Sequence, residues 1–542
     1  MSLGPTLALA NQDVLYTVFE HFVASETAWY DFDIMTRRVK SVDDPEEIVR
    51  RRTLASCARV CRAFLFPAMT ILWRDLDSLE PLNALVQHRA SQVTESMCLP
   101  WLPTYAQYSR WVRAVRNSWT APSPLPSCAS ADVGQPPLSL SRLVRLRWVQ
   151  KVPGTMDLLQ LLSPALHSLH IVFRGAPAWD HHRRCEYQTF VETLLLRAAE
   201  SAPCLTYLRI TRGNGILEDW LRPVCRFSRV QVLDILEPAY DAVTTSDLLP
   251  RLGAMKSLRS LKLRLPAAVG HAFDNGTQSF TALRVLDLGS RFASLHDAIK
   301  MLRLVSSPYL ESVHVDGCEC ETGLLSAGLH DLCTVLDARF APTLRTISLS
   351  ITPIGSPIAF EQPLVKYLKP LLRIRHLADV RLHLASKNVS VVVSVSDFVT
   401  IAESWPHLEH LELSYVPSGK APSLRALIPL ARLCPFLTHV QLPRIDARDV
   451  EMASIPPHRS LMSFSISDGG WDSLIPDPQG VAYFLRKLFP NAELGRPHLA
   501  SEQWCRTAKE FRDSRARKDR GNDLVYCWTP LVVLEVGHSP CN

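Results

Sequence analysis

The chain has 542 residues, 47% hydrophobic and 21% charged, with a formal net charge of +6. It is too long for one ordinary core unless that core grows by repetition, and so small a charge excess calls for neither a nucleic-acid nor a membrane partner. No apolar run reaches the roughly 18 residues of a membrane span, residues 1–12 lack the basic start of a secretory signal, and the 14 cysteines have no framework spacing, so reduced thiols in cytoplasm or nucleus are expected.

After a tail of residues 1–8, residues 9–85 carry helical periodicity without repeats. Val14, Leu15, Val18, Phe19 and Phe22 follow the spacing of one helix face, with Asn11 placed to cap it. An insertion at about 25–52 interrupts, and its polar stretch Thr36 to Arg52 reads as a loop. A second helix is expected to carry Leu54, Cys57, Val60, Cys61 and Phe64 on one side, which makes Cys57 and Cys61 core residues. Pro67 is expected to break the helix before a third apolar set of Met69, Leu72, Trp73 and Leu76.

Residues 86–141 read as a linker. It contains an irregular opening strand near Tyr108 to Val115 and a Pro/Ser-rich excursion over 117–141. From 142 to 496 one unit recurs, Pro-x-Leu-x-x-φ-x-φ, where φ is a branched apolar residue. The proline stands at Pro164, Pro203, Pro308, Pro342, Pro406 and Pro435; copies without it start at Leu143, Val230, Leu258, Leu283, Leu377 and Leu461. The twelve copies are 23 to 39 residues apart. Alternation of apolar residues makes each copy a short strand, and stretches such as Phe190 to Ala199 and Phe398 to Glu403 make helices between strands. One such unit cannot bury its apolar side alone; stacked units can. The fold class is therefore α/β, a solenoid in the form of a horseshoe. Residues 497–542 should cap it, with Trp504, Phe511, Trp528 and the Leu531 to Val536 run packing inward and Arg506 to Asp523 as a solvated helix.

The residue between the last two φ positions should face the concave side. That column reads Arg147, His170, Arg209, Asp234, Lys262, Asp287, His314, Ser348, Arg381, Glu412, Gln441 and Ser465. Its mixed charges, with no uninterrupted basic stripe and no interleaved aromatics, fit a protein target better than a nucleic acid. Arg209, Asp234, Lys262, Asp287, His314, Arg381, Glu412 and Gln441 are the candidate target-binding residues.

Motifs for chemistry fail. Ser418-Gly419-Lys420 lacks the earlier glycine of a phosphate-binding loop, and neither Gly-x-Ser-x-Gly nor His-Glu-x-x-His occurs. His181, His182 and Cys185, and separately Cys318-x-Cys320, lack a partner pair at zinc spacing. No catalytic residue, cofactor or metal is expected.

The repeats resemble the leucine-rich repeat, most fully at Leu310, Val313, Val315 and Cys318, where the cysteine takes the ladder position; Gly213, Arg291 and Val416 depart from it. The N-terminal helices resemble an F-box in Asp13 to Phe19, Leu54 to Phe64 and Ile71 to Leu76, with Ala10-Asn11 where that motif opens on Leu-Pro. The combination is similar to the F-box/leucine-rich-repeat proteins abundant in mushroom-forming (basidiomycete) fungi. The resemblance implies a non-catalytic substrate-recognition subunit of an SCF-type E3 ubiquitin ligase. Leu15, Val18, Phe19, Val60, Cys61, Phe64 and Trp73 would then form or support contact with a Skp-type adaptor on a cullin scaffold, and the solenoid would hold the target. The same residues could instead only close a three-helix bundle, in a repeat scaffold that no longer engages the adaptor.

Overall fold

The computed structural model describes residues 11–21, 45–82, 84–85, 107–116, 140–152, 154–175, 184–212, 218–236, 248–264, 279–289, 294–384, 389–448, 456–466, 475–495 and 502–519. Three helices open it: α1 (Gln12–Glu20), α2 (Pro45–Cys57) and α3 (Arg62–Leu72). The Asn11 side chain accepts from the Asp13 N–H at 3.0 Å, the cap expected from the sequence. Leu15, Phe19, Leu54, Ala58, Ala68 and Ile71 form the core of this bundle, and Phe19 meets Phe64 edge-on at 5.7 Å.

Three local expectations need correcting. The polar stretch is helical from Pro45 onward, with residues 36–44 outside the described set. The helix break falls at Cys61, not at Pro67. The turn tightens as Val60 donates to the Cys57 carbonyl, Cys61 is extended (φ −159°, ψ 168°), and Pro67 lies buried inside α3. Val60 and Cys61 therefore leave the face that carries Leu54, and Cys61 is exposed rather than core.

The chain divides into two compact units: Met1–Cys320 with Ala338–Leu344, and Glu321–Asp337 with Arg345–Asn542. In the first, β1 (Asp75–Leu76), β2 (Ala114–Arg116), β3 (Arg145–Val152), β4 (Ser168–Gly175), β5 (Tyr207–Arg212), β6 (Val232–Leu236), β7 (Ser260–Arg264), β8 (Val285–Gly289) and β9 (Ser312–Glu321) pair in chain order, all parallel. Along β3, Leu146, Trp148, Gln150 and Val152 are buried and the residues between them turn to solvent. Helices α4 (Arg184–Ser201), α5 (Leu248–Gly253) and α6 (Leu295–Leu304) and a 3-10 segment (Glu218–Arg226) separate the strands.

One bonding pattern sets the register. A single carbonyl ahead of each strand accepts the first two N–H groups of the next repeat: Val144 and Arg145 donate to Arg113, His167 and Ser168 to Val144, and Thr206 and Tyr207 to His167. The series starts at the Arg74 carbonyl, which accepts from Arg113 and Ala114 and so ties the end of the helical region to the sheet. With both groups satisfied at each step, a slipped register would orphan buried polar atoms.

The second unit repeats the pattern in β10 (Thr346–Ile354), β12 (Asp379–Leu384), β14 (His410–Pro417), β15 (His439–Leu442), β16 (Ser463–Ile466) and β17 (Glu493–Leu494). It adds a feature that the periodicity did not announce. Strands β11 (Ile358–Pro363) and β13 (Val389–Val392) form a second parallel ladder, and β13 continues it to Val416 and Pro417 at the end of β14. Helix α7 (Val395–Ser404) begins with a capping box between Ser394 and Asp397. Helices α8 (Leu427–Leu433), α9 (Pro478–Leu488) and α10 (Glu502–Asp519) follow. Trp504 and Phe511 of α10 are buried, and the Trp504 indole donates to the Gly495 carbonyl at 3.0 Å, covering the last repeat as expected; Trp528 and residues 531–536 lie outside the described set. Both units are leucine-rich-repeat-like solenoids of parallel strands alternating with helices, preceded in the chain by a small helical region. All twelve repeat starts lead into a strand.

Candidate binding surfaces

The helical region sorts its apolar residues into two groups. On α1, Leu15 and Phe19 point into the bundle at 2% and 3% exposure, while Val14 and Val18 are 41% and 47% exposed. Val60 is 68% exposed, and Leu65 and Phe66 of α3 are also exposed. Among the residues expected at an adaptor contact, Val18, Val60 and Cys61 are thus outside. Leu15 and Phe19 are core, Phe64 is half-buried against Phe19, and the half-buried Trp73 ring lies 4.5 Å from that of Tyr108. Val14, Leu65 and Phe66 were missed by sequence reasoning. The signal was present, since α1 carries two i, i+4 apolar pairs and a thin bundle can bury only one of them.

On the sheet the expected column is real. Register places Arg147, His170, Arg209, Asp234, Lys262, Asp287 and His314 side by side on consecutive strands, and adds Arg116 of β2 ahead of them. In the second unit Ser348, Arg381, Glu412, Gln441 and Ser465 form the equivalent row. Several of these side chains hold one another. Arg209 Nε and Asp234 Oδ2 are 3.2 Å apart and both residues are buried; Lys262 Nζ and Asp287 Oδ2 are 2.7 Å apart and more exposed. Arg381 makes two bonds to Asp379 of its own strand, at 3.0 and 2.9 Å, which hold its guanidinium charged. The His314 ring bonds Ser312 at 2.8 Å. Glu412 and Gln441 are partly exposed, and beside them His410 and His439 stack with ring centroids 4.5 Å apart.

The charges along the row are mixed, as read from the sequence, but with Arg116 added its start runs Arg116, Arg147, His170, Arg209. Burial, then Arg209, then Arg147 push the His170 imidazole well below the usual histidine range, so it is neutral and bonds the Thr211 hydroxyl at 2.9 Å. Burial also lowers Arg147, and Arg209, Arg174 and Arg116 add repulsion in that order. A cleft of about 550 Å³ lies where the helical region meets the first strands, lined in part by Tyr16, Glu20, Arg74, Trp111, Arg113 and Arg145. Glu20 and Arg74 pair across it at 3.3 Å.

Cys318 is buried at the ladder position, and burial pushes its thiol up to about 12. Cys185 is exposed, while His181 and His182 lie outside the described residues. Among the described residues no group of three or more His, Cys, Asp or Glu is arranged to hold a metal ion, and no helix is long and apolar enough to cross a membrane.

No family model matches the chain, and no curated protein matches its sequence. Among solved structures it is similar to a chain of the yeast Rad7–Elc1 complex, with 16% identity and a TM-score of 0.38 over 67% of this chain and 81% of that one. It is also similar to a chain of the TLR13–ssRNA13 complex, with 15% identity and a TM-score of 0.34 over 61% of this chain and 48% of that one. At those scores the resemblances carry no functional argument.

Proposed function

We propose that the chain is a non-catalytic substrate-recognition subunit of an SCF-type ubiquitin ligase, its helical region docking on a Skp-type adaptor and its strand faces holding a protein target. The observation that carries this reading is the divided apolar content of the helical region. Leu15 and Phe19 already close the bundle, which leaves Val14, Val18, Val60 and Leu65 as exposed apolar side chains outside its core. Supporting it are the F-box-like runs Asp13 to Phe19 and Leu54 to Phe64, and a repeat sheet that displays polar side chains at fixed spacing. The subunit would contribute proximity rather than chemistry: a held target meets the transfer machinery at high effective concentration.

Co-purification with a Skp-type adaptor tests it, using Val18→Asp and Val60→Asp because both side chains are exposed and the changes spare the core. Capture by the wild type and its loss in folded variants is the expected result. A folded wild type that captures no adaptor would remove the ligase reading and leave a repeat scaffold.

A further inference from the structure

In the second unit histidines, rather than fixed charges, decide the sign of the strand face. Strands β10 and β16 turn no charged residue outward. Between them β12, β14 and β15, with the turns that lead into them, set Asp379, Glu409 and Glu412 against Arg375 and Arg381, which leaves one net negative charge. Asp379 and Arg381 hold each other, and Arg345 and Arg459 stand in the flanking turns. On the same three repeats lie His376, His383, His407, His410 and His439, all exposed or partly exposed and, among the described residues, in no ion pair. Five added protons would turn the face from one net negative charge to four net positive ones. Histidine is the side chain whose ordinary titration falls between about pH 5 and 8.

The rings are ordered in two stacks. His376, His407 and Phe436 lie in line with centroids 6.2 and 6.0 Å apart, and His410 stacks on His439 at 4.5 Å. The Thr438 hydroxyl gives its one proton to the Glu409 carbonyl at 2.9 Å, so toward His439 Nδ1, also at 2.9 Å, it accepts. Nδ1 therefore carries the hydrogen of neutral His439, and Nε2 is where an added proton sits. Burial, then His410, then Arg381 hold His439 below the usual histidine range, against the opposite pull of Asp379. Like charges stacked this closely repel, and carboxylates from outside relieve the repulsion. The stacks also say which anion. Ring faces turned toward each other leave ring edges for a partner, whereas a single-stranded nucleic acid needs open faces. A lone phosphate needs donors converging on one point, and these imidazoles span three repeats, about 10 Å at ~4.8 Å per strand. We infer that the outward face of β12, β14 and β15 is a proton-gated docking surface for an extended, carboxylate-rich segment of a protein partner. This rests on the target-binding half of the proposed function and is independent of the adaptor.

The test uses the full chain and a fluorescently labelled peptide rich in Asp and Glu. Binding is measured at about pH 7.5 and at the lowest pH, down to about 5.5, at which circular dichroism stays native. The comparators are the same peptide with Asn and Gln in place of its acids, and a single-stranded oligonucleotide of equal charge. Peptide carboxylates, ordinarily near 4, stay ionised throughout. The acidic peptide should bind about tenfold tighter at the lower pH, while the amide peptide should change by less than about twofold. In His410→Gln with His439→Gln the gain should fall to about threefold or less, with binding at the higher pH within about twofold of the wild type. His376→Gln with His407→Gln, both exposed, should lose part of the gain, and it decides the matter if the first variant melts below the wild type. The control His296→Gln with His330→Gln, exposed helical residues away from this face, should keep the gain. Equal binding of the acidic peptide at the two pH values, an undiminished gain in the folded variants, a gain lost in the control, or an oligonucleotide that gains as much as the peptide each overturns the inference. Adaptor capture is measured on the same proteins. An absent gain with capture intact defeats this surface alone, and failed capture with the gain intact defeats the ligase reading alone.

Discussion

Strands β2 to β5 and strands β6 to β9 belong to one parallel ladder, held by the same paired N–H donations to a single carbonyl per repeat, yet they treat charge in opposite ways. From β5 to β8, oppositely charged neighbours face each other across strands, so Arg209 meets Asp234 and Lys262 meets Asp287. In β2 to β5 the row runs Arg116, Arg147, neutral His170 and Arg209, with its first acid at Asp234 of β6. A solenoid thus separates two jobs by side-chain parity. Inward residues set stability repeat by repeat, and outward residues can vary in charge without altering the ladder.

That separation can be broken or sharpened by substitution. The largest effect should be common to both halves: Leu208→Ala in β5 and Leu233→Ala in β6, both fully buried, should each cost about 4 kcal/mol in urea unfolding. A much smaller loss on one side would show that the halves do not share one kind of core. Next, Arg209→Met should cost about 3 kcal/mol by leaving Asp234 buried without its counter-charge, while adding Asp234→Leu should recover most of the loss. A double variant as unstable as the single one would mean that the pair is not a self-contained unit.

His170 gives a pH dependence peculiar to the basic half. Its folded-state imidazole titrates well below 6.5, so under pH 6.5 the unfolded chain takes up a proton that the folded chain refuses. Stability is therefore lost as pH falls, by up to about 1.4 kcal/mol per unit from this group. Urea midpoints of His170→Gln should fall less than those of the wild type between neutral pH and pH 5.5; parallel curves would refute the neutral assignment. The smallest effect belongs to Lys262→Ala, whose pair with Asp287 is solvent-screened, and thermal unfolding should change by less than about 1 kcal/mol.

Much of this was readable beforehand, and particular residues show why. Leucines such as Leu208 and Leu411 announce strands because a half-buried strand must alternate, and alternation survives in sequence. The outward column followed from the same parity. Arg116 escaped because it lies in a three-residue strand without the repeat's leading leucine, and β11 and β13 because they are short pieces that carry no such signature. The break at Cys61 escaped because helical spacing continues through it in sequence although the backbone turns there.

The sequence by itself determined the repeating strand and helix, the capped first helix, and the residues that turn outward, because these depend on local spacing and on a period of two. Only the tertiary structure decided which of the α1 stripes is buried, which charges from distant repeats pair, and that Arg116 joins Arg147 at the head of the basic row. Those outcomes depend on which strands become neighbours and in what register, and residues far apart along the chain meet only when the ladder is built.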